Sequence, residues 1–257
     1  MILVFDIGNT HIVTGILDNR GHVLMTFRTS TDKNMTEDQF YAYLKSVADF
    51  NSIDLKKVEG LAVSSVVPGL IEIFQYLGRK YFKKEPVITS ISSKRPFSFI
   101  EGCDYSEYGP DRIIAVAKAV ADHPGKNIVI FDFGTATNYE VLNSEAVYLG
   151  GGIFQGLEMT LKALFGNTAL LSEMPFNIPK TALGKNTAEQ IQAGVFYGYV
   201  GQIKHIIAKI KQEVENPYII ATGGQGQSLI KEVEEIDVYC PNLNLQGLYI
   251  MYRLNRK

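Results

Sequence analysis

Apolar and polar positions change period several times along the chain, and those changes mark out its elements. Ile2 to Ile7 is a near-continuous apolar run that predicts a buried strand, the turn-forming Gly8-Asn9-Thr10 follows, and His11 to Leu17 predicts a second strand. Asp18-Asn19-Arg20-Gly21 supplies turn chemistry into a third strand near His22 to Arg28. The same order recurs from Asn127. A strand at Ile128 to Phe133 is followed by a turn at Gly134-Thr135, a strand through Thr137 to Leu142, a turn at Asn143-Ser144-Glu145 and a short strand at Ala146 to Leu149. Val4-Phe5-Asp6-Ile7-Gly8-Asn9-Thr10 aligns with Ile130-Phe131-Asp132-Phe133-Gly134-Thr135-Ala136, the mark of an internal duplication.

Each repeat continues with helical spacing and a further strand. In the first, Thr36 to Ala48 predicts a helix, Leu61 to Ser64 a strand, and Val66-Val67-Pro68-Gly69 leads into a helix over Leu70 to Phe82. Ile113 to Ala121 predicts another helix. In the second, Leu157 to Phe165 and Thr187 to Glu213 predict helices, Tyr218 to Thr222 a strand, Gly223-Gly224-Gln225-Gly226 a loop, and Ser228 to Glu235 a helix. Strands mixed with helices in two equivalent halves predict α/β architecture, divided as residues 1–120 and 121–257, with a cleft between the halves.

Composition narrows the choice of partners. With 257 residues and 46% apolar content the chain can bury a substantial core. A formal charge of −2 provides no basic field to select nucleic acid or an anionic membrane surface, so small-molecule chemistry is expected. Met1 to Phe5 reaches an acid at Asp6 after too few apolar residues for a signal peptide, which predicts a cytoplasmic protein without a membrane span. Cys103 and Cys240 lie far apart and outside any CxxC pattern, and His11, His22, His123 and His205 form no ligand grouping. Neither a disulfide framework nor a transition-metal site is expected.

The chemistry concentrates at the turns. A carboxylate at a strand end followed by a tight glycine turn sets negative oxygen beside backbone N–H donors, an arrangement suited to Mg²⁺ and phosphate. One Asp-x-Gly-x-Thr is an ordinary hairpin turn with an Asx bond; two copies on equivalent strands point to a nucleotide site. Asp6 then orients a hydrated Mg²⁺ and Asn9 and Thr10 donate to phosphate, while Gly8 permits close approach and Thr135 acts from the other repeat. Thr222-Gly223-Gly224 reads either as a plain turn or as bare backbone against a purine or ribose. Glu107-Tyr108-Gly109-Pro110-Asp111-Arg112 likewise has two readings. Asp111 is a helix N-cap with Arg112 a surface cation, or Asp111 takes the proton of an attacking hydroxyl while Arg112 holds an acidic substrate group.

In combination and order these motifs resemble the type III pantothenate kinases, actin-like enzymes that phosphorylate pantothenate at the first step of coenzyme A synthesis. The resemblance spans nearly the whole chain. It rests on Asp6-Ile7-Gly8-Asn9-Thr10, Ser64-Ser65-Val66-Val67-Pro68, Gly109-Pro110-Asp111-Arg112, Asp132-Phe133-Gly134-Thr135-Ala136-Thr137, Gly151-Gly152-Ile153, Gly184-Lys185-Asn186-Thr187 and Thr222-Gly223-Gly224. It implies a duplicated actin-like (ribonuclease H-like) two-domain fold with an interdomain nucleotide cleft. ATP would be bound by Asp6, Ile7, Gly8, Asn9, Thr10, His11, Ile12 and Val13 together with Thr135. Gly109, Pro110, Asp111, Arg112 and Thr187 would bind pantothenate, with Asp111 as catalytic base. Asp132 would hold a monovalent cation, K⁺ or NH₄⁺, beside Mg²⁺, and the enzyme would be a homodimer.

Five positions depart from the family pattern. Gly102 stands where an aromatic residue is common, with Tyr105 and Tyr108 nearby; Asn138 replaces a threonine, Glu140 an aspartate, Gln155 a proline and Ser172 a proline. Three rivals remain open at this level: a nucleotide-binding regulatory relative without turnover, an actin-like kinase for another small alcohol or sugar, and a phosphatase of the same fold acting on polyphosphate. Gly109 to Arg112 distinguishes a pantothenate enzyme from sugar kinases generally.

Overall fold

The computed structural model describes residues 1–102, 104–166 and 175–256, so Cys103 and Ser172 lie outside the described residues. The chain forms two units, Met1–Pro124 with Asn242–Lys257, and Gly125–Pro241.

In the first unit the N-terminal apolar run is a central strand. β1 (Ile2–Ile7), β2 (His11–Leu17) and β3 (Val23–Ser30) form an antiparallel meander; α1 (Glu37–Phe50) then leads to β4 (Gly60–Ser65), which lies parallel to β1. α2 (Pro68–Leu77) precedes β5 (Val87–Ile88), and the sheet order is β3-β2-β1-β4-β5. The two-residue β6 (Ser98–Phe99) and the helix α3 (Pro110–Asp122) follow. Thr36 caps α1 through a capping box: its hydroxyl accepts from the Gln39 N–H, and Gln39 Oε1 accepts from the Thr36 N–H at 2.9 Å. The buried face of α1, Phe40, Leu44 and Ala48, repeats every four residues and meets β1 through aromatic contacts. Phe5 and Phe40 each lie within 5 Å of Phe74, at 4.7 and 4.8 Å between ring centroids.

The second unit repeats this plan. β7 (Ile128–Phe133), β8 (Ala136–Leu142) and β9 (Val147–Gln155) are antiparallel neighbours; after α4 (Leu157–Gly166) and the long α5 (Thr187–Glu213), β10 (Tyr218–Thr222) pairs parallel with β7. The short α6 (Gly226–Leu229) leads to β11 (Val238–Tyr239), parallel to β10. Among this unit's strands the order is β9-β8-β7-β10-β11, equivalent position by position to that of the first unit. The register extends the sequence duplication. Asp6 pairs with Ser64 and Asp132 pairs with Thr222, so Ser64-Ser65 occupies the place of Thr222-Gly223.

Several elements differ from the sequence reading. β9 runs nine residues where a strand ending at Leu149 was expected, because its cross-strand ladder to β8 holds the glycines Gly150 to Gly152 extended against their weak intrinsic preference. The helix expected to reach Phe82 stops its α-helical bonding at Leu77 and closes in a π-helical turn, Gly78–Phe82, with Lys83 at φ 57°. The helix expected over Ser228 to Glu235 is the single turn of α6. Glu232, Glu234 and Glu235 fall where its C-terminal end would lie, against the helix dipole.

The last helix, α7 (Leu243–Asn255), belongs with the first unit although the sequence reading carried it in residues 121–257. Its buried positions, Leu243, Leu245, Leu248, Tyr249, Met251 and Tyr252, surround much of its circumference, and α7 packs on α3 and on β1. Gly247 lets its backbone approach the Ile114 carbonyl. Among the described residues no helix is long and apolar enough to cross a membrane.

Candidate functional site

The acid of the first repeat sits at the end of β1, half-buried, opposite Val13 on β2 and Ser64 on β4. Its Oδ2 accepts a hydrogen bond from Asn244 Nδ2 of α7 at 3.2 Å. The turn beyond it is held by main-chain and side-chain bonds: Gly8 N–H donates to the His11 carbonyl at 3.0 Å, and the Thr31 hydroxyl donates to the Gly8 carbonyl at 2.7 Å. Asn9 and Thr10 stand exposed at its tip. Ile7 and Ile12 point into the core, so they can present only main-chain atoms to a ligand. His11 and Val13 are half-buried on β2.

The start of α3 gathers the Gly109 to Arg112 motif. Gly109, and not Asp111, is the N-cap residue, because Pro110 already occupies the first helical turn, where its missing N–H is not needed, and Asp111 lies within that turn. Asp111 Oδ1 accepts from the Arg112 N–H at 2.9 Å and folds back over Gly109 so closely that a Cβ there would collide with it. Burial pushes the Asp111 carboxyl above its ordinary value, partly offset by the hydrogen bond from the Arg112 backbone and the guanidinium charge. The Arg112 guanidinium lies 4.1 Å from the centroid of the buried Tyr108 ring. Tyr108 meets Phe99 edge-on at 5.1 Å, and Phe99 stacks on Tyr105 at 4.1 Å. Gly102, at φ 81° with open space about it, contributes no ring; the aromatic surface beside Arg112 comes from Tyr105, Tyr108 and Phe99.

In the second unit Asp132 ends β7, opposite Asn138 and Thr222. Gly223, at φ 86°, brings its backbone against the acid. A Cβ at that position would lie 2.6 Å from Asp132 Oδ1 and from Phe133 N, so both conformation and space require glycine. The Tyr239 hydroxyl donates to the Gly223 carbonyl at 3.0 Å, and the Tyr199 hydroxyl is hydrogen-bonded to Thr137 Oγ1. Burial, partly offset by the Thr137 bond and reinforced by the nearby Asp132 charge, pushes the Tyr199 hydroxyl up to about 12. Thr135 is exposed in the turn after β7. Glu140 is fully buried, with Gly151 packed close to its Oε2 and to the Tyr148 hydroxyl; Gln155 is exposed at the end of β9.

Beside Gly224 and Gln225 lies a cavity of about 430 Å³ with apolar walls from Leu161, Phe165, Phe176 and Phe196. That volume is in the range of small-ligand pockets. Thr187 is exposed in the first turn of α5, whose start is fixed by Asn186 accepting from the Glu189 N–H and by Glu189 accepting from the Lys185 N–H. The structure thus brings Asp6 together with Asn244, and Asp111 with Arg112, in the first unit; in the second it brings Asp132 together with Gly223 and Tyr239. Sequence reasoning missed Asn244, Tyr199 and Tyr239. No local motif marks them, since each acquires its neighbour through pairing of distant segments.

Two units that repeat one sheet order, each with an acid at the end of its first strand, define the duplicated actin-like fold, and the family match that follows makes this chain an ATP-dependent kinase of that fold. A solved structure described as a 2-dehydro-3-deoxygalactonokinase from Sinorhizobium meliloti has the same fold, with a TM-score of 0.62 at 13% identity over 98% of this chain and 96% of that one. The family model for type III pantothenate kinase matches residues 2–209, and the chain belongs to that family, whose members act in coenzyme A biosynthesis. It is 51% identical over its whole length, and that of the relative, to the type III pantothenate kinase of Fusobacterium nucleatum subsp. nucleatum. To that of Bacillus cytotoxicus it is 35% identical over 99% of this chain and 97% of the relative.

Proposed function

We propose that the chain phosphorylates the primary hydroxyl of pantothenate with ATP, giving 4′-phosphopantothenate, and that Asp111 is the general base. The observation that carries this assignment is the Asp111 carboxylate at the start of α3, folded over Gly109 and followed at once by Arg112. As the hydroxyl oxygen attacks the γ-phosphorus, its proton passes to Asp111, the bond from phosphorus to the bridging oxygen breaks, and ADP leaves. Burial makes Asp111 a better proton acceptor than an ordinary carboxylate. Arg112, held face-on by Tyr108, suits the carboxylate of pantothenate, and Gly109, Pro110 and Thr187 complete the contacts to that substrate.

The residues present fit the groups that the family's chemistry requires. Mg²⁺ bound with ATP would neutralise charge on the phosphate oxygens. Asp6, a single half-buried carboxylate already oriented by Asn244, suits a cation held through water better than one ligated directly. The turn from Gly8 to Val13 and Thr135 supply N–H and hydroxyl donors for phosphate, and the cavity beside Gly224 suits a purine ring. Asp132, against the bare backbone of Gly223, suits K⁺ or NH₄⁺. A cytoplasmic homodimer completes the proposal, supported by family membership.

The test is ADP release by the purified protein with ATP, Mg²⁺ and K⁺, with and without pantothenate, followed by mass analysis. Phosphopantothenate formed only when pantothenate is present is the expected result. ATP binding without turnover would replace the assignment with a regulatory role, and turnover of a different alcohol alone would remove the substrate.

A further inference from the structure

Tyr239 is not part of any motif in the chain, yet it reaches the glycine loop after β10 from a strand only two residues long. So short a strand is held mainly by bonds at its ends. Ile219 N–H donates to Asp237 Oδ2 at 2.7 Å and the Asp237 N–H to the Ile219 carbonyl at 2.9 Å; beyond Tyr239, Cys240 N–H donates to the Ala221 carbonyl at 2.8 Å and the Thr222 hydroxyl to the Cys240 carbonyl at 2.7 Å. Tyr239 is therefore fixed between two pairs of bonds to β10.

From that position its hydroxyl donates to the Gly223 carbonyl at 3.0 Å, and its ring fills the space against Gly226, where a Cβ would lie 2.7 Å from Cε2. Both ends of the loop Gly223 to Gly226 are thus held by one side chain. Gly223 faces Asp132, while Gly224 and Gln225 line the 430 Å³ cavity. Burial, with a smaller contribution from Asp132, raises the Tyr239 pKa, which keeps the hydroxyl a donor across the working range.

We infer that Tyr239 is a positioning residue for nucleotide binding, holding the Gly223-Gly224 backbone where the base of a purine nucleoside triphosphate lies against it. The inference rests on the assignment of the cavity beside Gly224 to the nucleotide. Phenylalanine at this position keeps the ring against Gly226 and removes only the hydrogen bond, so the loop retains its packing and loses its anchor at Gly223. The effect falls on the nucleotide and not on the alcohol substrate.

Steady-state kinetics and binding of a fluorescent ADP analogue would be measured on the full-length protein, Tyr239→Phe and Tyr239→Leu, with Val238→Ala as a control for general weakening of β11. Loss of one hydrogen bond predicts that Tyr239→Phe raises KM for ATP and Kd for the analogue by roughly threefold to tenfold. KM for pantothenate and kcat should stay within about twofold, and Val238→Ala should lower Tm without moving KM for ATP. Unchanged nucleotide affinity in Tyr239→Phe, or an equal rise in both KM values, would overturn the inference. Should the parent protein bind the analogue and leave pantothenate untouched, the substrate assignment falls while the binding comparison still decides the role of Tyr239. Should the parent bind no nucleotide, both fall.

Discussion

Asn244 Nδ2 donates to Asp6 Oδ2 across 3.2 Å, joining residues 238 positions apart in the chain. The bond leaves Asp6 in one orientation at the end of β1 and makes the first turn of α7 part of the same site. A carboxylate that positions a hydrated cation gains from such orientation, because the geometry of the water-bridged ion follows that of the oxygens holding it.

Replacing Asn244 with leucine should therefore raise the Mg²⁺ concentration for half-maximal rate by roughly threefold to tenfold, the effect of one lost hydrogen bond to a charged group. Titration of Mg²⁺ at fixed ATP and saturating pantothenate reads this directly. An unaltered Mg²⁺ dependence would separate Asn244 from the work of Asp6.

Asp111→Asn preserves an acceptor for the Arg112 N–H and removes the base. The rate of phosphoryl transfer should drop by about 10²–10⁴-fold, the usual contribution of a positioned base, with ATP affinity within a few-fold of the parent. Single-turnover kinetics with equilibrium nucleotide binding separates the two quantities. A parent-like rate would remove Asp111 from the role.

The same substitution has a predicted effect on stability. The folded-state pKa of Asp111 is raised by burial above the ordinary value of 3.8, so the native state holds its proton to higher pH than the unfolded chain does. The contribution of Asp111 to stability is then fully present below the unfolded value and is lost as pH rises through the folded one. Asparagine carries no such penalty. Asp111→Asn should be at least as stable as the parent near neutral pH, and that difference should shrink below about pH 4, where the unfolded-state Asp also protonates. Denaturant unfolding at both pH values tests the sign. In the parent, kcat/KM for pantothenate should fall as the pH drops through the raised pKa.

Asp132→Ala should abolish the dependence of rate on K⁺ or NH₄⁺, measured by substituting a large organic cation at constant ionic strength. If that dependence persists in the variant, the cation is held elsewhere.

Much of this fold is legible in local pattern. The strands of both meanders, the capped helix after Thr36 and the paired Asp-x-Gly turns follow from side-chain period and turn chemistry within a few residues of each other. Asp6 and Asp132 stand out for the same reason, each a carboxylate at a strand end before a glycine turn, whereas the spacing of Gly109 to Arg112 fits a plain helix start as well as a site and only the family resemblance chose between them. The glycines of β9 and the acids after α6 misled the reading because cross-strand bonds and the helix dipole outweighed intrinsic preference there.

Other features arose only when distant segments met. In α7 the alternation Asn242-Leu243-Asn244-Leu245 conceals a helix, and burial spread around the helix blurs its amphipathic stripe. Nothing nearby shows that it packs on α3 and β1, or that Asn244 reaches Asp6. The two-residue β5 and β11 are too short to carry a period, and Tyr239 finds Gly223 only after β11 has paired with β10. Local spacing, set by backbone geometry, determined the repeated elements and the acids they present. Chain pairing and burial, which no short window of sequence contains, decided which side chains hold those acids and their loops in place.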